Sequence, residues 1–139
     1  MQTYPKTDTE ISEFLHRHGA HPTSQRVAVA RVLFTHGTHL SAEDVYKLVN
    51  TDSQQVSKAT VYNTLGLFAE KGIVREVVAD PSRIFYDPNT AAHHHFFNVV
   101  SGELTDIDAS QIQVTGLPPL PPGADLEGID VVVRLRQAK

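Results

Sequence analysis

Cysteine is missing from all 139 residues. Disulfides, thiolate metal ligands and thiol redox switching are therefore excluded, so any bound metal has to be held by nitrogen and oxygen. Long apolar runs are missing as well. None approaches the ~20 residues that cross a bilayer, and the opening Met1-Gln-Thr-Tyr-Pro-Lys6 lacks the basic-then-apolar layout of a secretory signal. These absences lead to the expectation of a cytoplasmic protein with no membrane partner. Cations are scarce too, for the net charge is −4, which taken alone argues weakly against nucleic acid. The deficit is local, however. Residues 1–83 hold nine basic and nine acidic side chains and are neutral, whereas residues 84–139 hold three and seven and carry the whole −4. A neutral half can still bind DNA if its cations share a face, and Arg26, Arg31, Lys58, Arg75 and Arg83 are the candidates.

What is present is the balance of a soluble globular chain, 40% hydrophobic and 20% charged, long enough for one ordinary domain or two small lobes. The first half reads as helices. Asp8 can cap a helix carrying Ile11, Phe14 and Leu15, with Gly19 after it; Pro22-Thr23 opens a second with Val27, Ala30, Val32, Leu33 and Phe34. Ser41-Ala-Glu-Asp44 has capping-box spacing ahead of Val45, Tyr46, Leu48 and Val49. Ser57 caps a fourth helix in which Val61, Leu65 and Phe68 turn inward, Lys58, Ala59, Tyr62 and Asn63 turn outward, and Gly72 ends the run. Ile73–Val78 and Arg83–Tyr86 then flank the turn-rich Ala79-Asp-Pro-Ser82 as a hairpin.

Helices followed by a two-stranded wing predict a winged helix, which sends its later helix into the major groove while flanking groups grip phosphate. The bland alternative is a small helical domain whose Tyr62 and Asn63 face solvent, since fold alone never fixes function. The second half is strand-like: His95–Val100, a Ser101-Gly102 turn, Glu103–Ile107, and Gly128–Arg136, where Ile129, Val131, Val133 and Leu135 fall on one face and Asp130, Val132, Arg134 and Arg136 on the other. About fifty residues follow the wing, fewer than an independent core usually needs. Leu117-Pro-Pro-Leu-Pro-Pro122 cannot be helical. A second subunit is the expected cover, giving a homodimer that suits a palindromic DNA site.

The run His93-His94-His95 is the chemical centre of the chain. On a strand, His93 and His95 share a face and His94 points away, so the triplet offers two imidazoles to one ion. Asp106 lies in the next strand, Asp87 at the end of the wing and His39 before the third helix. Imidazole and carboxylate suit divalent iron, manganese, nickel or zinc. A site joining His39 and Asp87 to His93, His95 and Asp106 would tie the DNA-reading half to the dimer half. The competing readings are a solvated polar strand with unrelated carboxylates, and a two-His-one-carboxylate oxygenase iron, which has no substrate-pocket signal behind it.

In these motifs the chain resembles the ferric uptake regulator superfamily across almost its whole length. Gly19-Ala-His-Pro-Thr-Ser-Gln-Arg26, His39-Leu-Ser-Ala-Glu-Asp44, Ser57-Lys-Ala-Thr-Val-Tyr-Asn63 and the His93-x-His95 strand occur in that family's order and spacing. The resemblance implies an α+β chain: a winged-helix DNA-binding domain at 1–83, a hinge near Asp80 to Ile84, and a small α/β dimerisation and metal-sensing domain at 84–139. It implies no enzymatic activity. Its regulatory metal site maps onto His39, Asp87, His93, His95 and Asp106, a three-histidine, two-aspartate set seen in the peroxide regulator (PerR) branch. Fe²⁺ or Mn²⁺ is the implied ion, with Zn²⁺ an in vitro substitute.

Departures from the pattern carry as much information. Where most members have Cys-x-x-Cys-Gly for a structural zinc, this chain has Asn98-Val-Val-Ser-Gly102, so no Cys₄ zinc is expected. A second metal site of the family is broken, its positions holding Ala92, His94, Gln113 and Ile129. Freedom from cysteine, His-His-His-Phe-Phe, the Gly-Glu-Leu-x-Asp-Ile strand, the Pro-rich link and Ile129-Asp-Val-Val-Val-Arg-Leu-Arg136 are similar to the iron response regulator (Irr) branch. That branch implies haem-linked iron sensing, and without the Cys-Pro haem motif of some members the haem ligands would be drawn from His93, His94 and His95. For double-stranded DNA, a palindromic A/T-rich operator, the resemblance points to Tyr62 and Asn63, with Ala59 and Thr60 beside them. His21 stands where a minor-groove Lys or Arg is usual, and Arg26 is placed to bind phosphate or to cap the second helix. The competing function is an iron or haem binding protein without a DNA role.

Overall fold

Thr7, rather than Asp8, opens the first helix: its hydroxyl accepts from Glu10 N while the Glu10 carboxylate accepts from Thr7 N, a reciprocal capping box. Helix α1 (Asp8–Arg17) is followed by α2 (Ser24–His36), capped by Thr23, and then by α3 (Ala42–Val49), where Ser41 and Asp44 form the expected box. Helix α4 (Lys58–Glu70) starts at the Ser57 cap and its exit is turned by Gly72, whose φ of +72° only glycine adopts freely. The computed structural model describes residues 3–53 and 55–137. Among them no helix is long and apolar enough to cross a membrane.

The chain divides into two compact units between Thr90 and Ala91. In the first, the four helices enclose a core of Ile11, Leu15, Leu33, Val45, Val61, Leu65 and Phe68, all fully buried. Each such side chain stabilises the unit by roughly 1.5–3 kcal/mol relative to exposure. Strands β2 (Arg75–Asp80) and β3 (Arg83–Asp87) form the wing, its turn held by the Asp80 carboxylate, which accepts from Ser82 N and Oγ at 2.8 Å each. A third strand, β1 (Leu40–Ser41), pairs antiparallel with β3. Because β3 is sandwiched between β1 and β2, it belongs to the first unit, and a boundary at 83/84 would cut the wing in two. The ladder, rather than the composition shift, decides where the first lobe ends.

The second unit is a three-stranded sheet of order β5-β4-β6, with β4 at His93–Asn98, β5 at Leu104–Asp108 and β6 at Val132–Leu135. β5 runs antiparallel to β4, and β6 runs parallel to it. The strand expected over Gly128–Arg136 is thus shorter than its alternation, and the long Pro-rich link is what permits a parallel return. Helices and sheets mix along the chain as expected. In this unit the helical part among the described residues is a 3₁₀ turn at Ala109–Gln111, and residues 112–131 run without regular structure.

The β4–β5 turn occupies the stretch where a zinc knuckle would stand. Asn98 does the organising: its Oδ1 accepts from Val100 N at 2.9 Å and Ser101 N at 3.0 Å, and its carbonyl accepts from Gly102 N at 2.8 Å. Ser101 Oγ accepts from Glu103 N at 3.2 Å. A cluster of neutral polar groups closes the turn. Asn98→Ala should lower unfolding free energy by about 1–2 kcal/mol, since two backbone amides lose their acceptor. Urea unfolding of the variant measures this, and an unchanged midpoint would reject it.

Candidate metal centre and nucleic-acid interface

His93 and His95 leave β4 on one face, and the antiparallel register sets Asp106 of β5 directly across from His95. Both Nε2 atoms approach the same Asp106 Oδ1, at 3.3 Å from His95 and 3.5 Å from His93. The ligand atoms of the three side chains lie within 4.8 Å of one another, and the two rings meet edge to face with centroids 4.6 Å apart. His95 is only 3% exposed, whereas Asp106 is half-exposed. The cluster is a wall of nitrogen bases with a carboxylate at its open side.

Tautomers follow from the hydrogen bonds. His93 Nδ1 lies 2.7 Å from the Ala91 carbonyl, an oxygen that can only accept, so Nδ1 carries the proton. In a neutral ring Nε2 then presents a lone pair toward Asp106. Two acceptors facing each other at 3.5 Å repel unless a proton or a cation lies between them. This is also the outer-shell bond that fixes a metal-ligating imidazole in ligation-ready form. His94 has the opposite arrangement. It is buried on the other face, and its Nδ1 accepts from Val131 N at 3.1 Å, which leaves its proton on Nε2. That ring staples β4 to the approach of β6 and has no lone pair left to offer an iron in its neutral form.

Asp108 stands across from His93 on the ladder. Its carboxylate accepts from Ser110 Oγ at 2.7 Å and Ser110 N at 2.9 Å, and these bonds hold its pKa below the usual range. The first unit holds the remaining two predicted donors. Asp87 ends β3 and is 1% exposed, accepting from Asn89 N at 2.9 Å. His39 immediately precedes β1, whose Leu40 pairs with Tyr86 of β3. The His39 ring stands edge-on to Phe85 with centroids 5.9 Å apart.

The outward face of α4 is as the helical period requires. Tyr62 is 49% exposed, Lys58, Ala59 and Asn63 are exposed, and Thr60 is half-buried with its hydroxyl accepting from Ser57 Oγ at 2.9 Å, so it serves the cap. Lys58 is not a free cation: its Nζ lies 3.3 Å from Glu43 and 5.6 Å from the Tyr46 ring centroid. Arg31 is bonded through Nε to Asp8 at 3.1 Å and ties α2 to α1, which removes it from the phosphate candidates. Arg26 neither caps α2, since Thr23 does that, nor extends freely; its guanidinium donates to the His21 carbonyl at 2.9 Å. It therefore holds the exposed His21 loop against the start of α2. Arg26, Thr23, Gln25, Thr60, Asn63 and Thr64 line a polar cavity of about 250 Å³ between α2 and α4. At the root of the wing Tyr86 is buried, and burial first, then the Glu76 carboxylate and Tyr62, raises its pKa above tyrosine's ordinary value. Its hydroxyl stays protonated.

Residues 17–117 match the model of the ferric uptake regulator family. The chain belongs to that family. Its members are regulators of transcription rather than enzymes. The chain is 34% identical over 98 residues to the peroxide-responsive repressor PerR of Staphylococcus aureus, a match covering 70% of this chain and 66% of that protein's length. The chain thus spans slightly under two thirds of that relative. Among solved structures it is similar to the Pseudomonas aeruginosa ferric uptake regulator with manganese, at TM-score 0.70 and 26% identity, covering 91% of this chain and 97% of the other. The Vibrio cholerae ferric uptake regulator shares the fold at TM-score 0.71 and 20% identity, over 91% and 98% of the two chains.

Proposed function

We propose that this chain is a metal-responsive, DNA-binding transcriptional regulator acting as a cytoplasmic homodimer on a palindromic A/T-rich operator, with iron homeostasis genes as its targets. The observation that carries the reading is the convergence of two imidazole nitrogens on one carboxylate oxygen, in a chain whose α4 turns Tyr62 and Asn63 to solvent. His93, His95 and Asp106 would hold a divalent ion, Fe²⁺ or Mn²⁺, with His39 and Asp87 as further donors; Zn²⁺ would compete in vitro, as nitrogen/oxygen sites favour it over both. The ion supplies positive charge between facing acceptors. The residues themselves do the rest: the Ala91 carbonyl orients His93, and the ladder holds His95 to Asp106. A coupling of about 1–3 kcal/mol between ion binding and DNA binding suffices to alter operator affinity. Dimerisation is supported by the outer position of β6 in the sheet order among the described residues and by the exposed Phe96 and Leu135 in so small a unit.

Within this reading the Irr resemblance adds a haem-linked response, with ligands from His93 or His95 rather than the stapled His94. A second reading, peroxide sensing through bound iron, is favoured by the three-histidine, two-aspartate set that the family resemblance implies and by the likeness to the Staphylococcus aureus repressor. The deciding experiment titrates the purified protein against a palindromic A/T-rich duplex at fixed salt, as apoprotein, with Fe²⁺ or Mn²⁺, and with haemin. Tighter binding with the ion and indifference to haemin fits the peroxide-regulator kind. Binding that survives metal and collapses with haemin fits the haem-linked kind. No binding in any state would reject a DNA role and leave an iron-binding protein.

A further inference from the structure

Between α3 and α4 the chain must turn sharply and start the outward-facing helix at a fixed point. One side chain uses its full hydrogen-bonding capacity there. Asn50, the residue that ends α3, donates from Nδ2 to the Tyr46 carbonyl and to the Val56 carbonyl, both at 2.9 Å. Its Oδ1 accepts from Gln55 N at 2.7 Å and from Val56 N at 3.0 Å. A primary amide has two N–H donors and two lone pairs, so all four are committed. Both backbone groups of Val56 are paired to this one side chain, in the manner of a single rung of sheet. Val56 is itself 1% exposed and anchored in the helical core, and the next residue, Ser57, is the cap of α4.

We infer that Asn50 is the positioning residue that sets where α4 begins, and through it where Tyr62 and Asn63 stand relative to DNA. This rests on the DNA-binding reading above. No other residue type fills the role. Aspartate is nearly isosteric but only accepts, so it would keep the Gln55 and Val56 amides while facing the Tyr46 and Val56 carbonyls with negative charge. Leucine or alanine would leave Val56 with unpaired buried backbone groups. Glutamine carries the amide one methylene too far to reach both sides of the turn. A shifted helix start misplaces base-edge contacts, each worth a factor of roughly 5 to 200 in discrimination, while phosphate attraction is indifferent to small shifts.

The test compares wild type and Asn50→Asp on two duplexes of equal length, one palindromic and A/T-rich and one of random sequence, by fluorescence anisotropy at fixed salt. Amide hydrogen exchange of Val56 and of the first turn of α4 is measured alongside. The expected result is a variant with wild-type helix content, faster exchange at those amides, and operator affinity reduced about tenfold or more. Random-duplex affinity should stay within about twofold, because the phosphate contacts survive. A merely structural role would lower both affinities by one factor, the folded fraction, and that outcome overturns the inference. So does an unchanged operator affinity. Wild type that ignores both duplexes rejects the DNA-binding reading and the positioning role with it, and is told apart because the wild-type arm itself fails. Should Asn50→Asp not fold, Asn50→Ser, which shortens the side chain without adding charge, is read in the same way.

Discussion

His95→Ala is expected to cut affinity for Mn²⁺ or Fe²⁺ on the order of a hundredfold or more, beyond the 10–100-fold typical of outer-shell changes. The sign follows from geometry. His95 Nε2 is the nearer of the two nitrogens to Asp106, at 3.3 Å, and its ring is the most buried part of the cluster. Removing it leaves the second unit with one imidazole and one half-exposed carboxylate, a weakened hold that water competes with. The sheet should survive, because His95 N still donates to the Val131 carbonyl and β4 is paired on both sides. The apoprotein should therefore unfold at nearly the wild-type denaturant midpoint. The difference should emerge only with metal: saturating Mn²⁺ raises the wild-type midpoint by mass action on the native state and leaves the variant unmoved. Calorimetric titration and metal-dependent unfolding measure the two halves. Equal Mn²⁺ affinity in wild type and variant would reject the metal assignment, and an unfolded variant would make His95 structural.

The features legible in the sequence are those with a local period. Val61, Leu65 and Phe68 recur at helical spacing and are fully buried, and Ser41 with Asp44 forms the capping box that its spacing predicts. The two-residue period likewise put His93 and His95 on one face and His94 on the other. Pairings between distant segments leave no such trace. β1 is two residues long, too short to alternate, and exists because Leu40 meets Tyr86. Without it β3 would be an edge strand, and the ladder that keeps β3 in the first unit leaves no mark in the sequence. Parallel pairing of β6 on β4 is invisible for the same reason. Cations mislead in sequence because their partners are unseen: Arg31 belongs to Asp8 and Lys58 to Glu43. Nothing in the sequence marks the side chains of Asn50 and Asn98 as turn-builders, and only the backbone groups around them reveal what they hold.

Tyr62→Ala should abolish most operator selectivity while leaving fold and metal uptake intact. Tyr62 faces outward from α4, 49% exposed, and the inward face of that helix is closed by Val61, Leu65 and Phe68, so truncation opens no cavity. Alanine is the stronger helix former, which removes any local penalty. What is lost is a rigid ring able to press on thymine methyls and a hydroxyl able to reach phosphate. Losing both should weaken operator binding on the order of 10- to 100-fold, the 1–3 kcal/mol typical of a good base contact. Tyr62→Phe divides the two parts: if the ring carries the contact, phenylalanine retains most of the affinity, and if the hydroxyl does, it falls with alanine. Tyr62 also adds to the raised pKa of Tyr86, whose hydroxyl should be easier to ionise in the alanine variant, with burial and Glu76 still opposing it. Full operator affinity in Tyr62→Ala would place the DNA contact elsewhere than on α4.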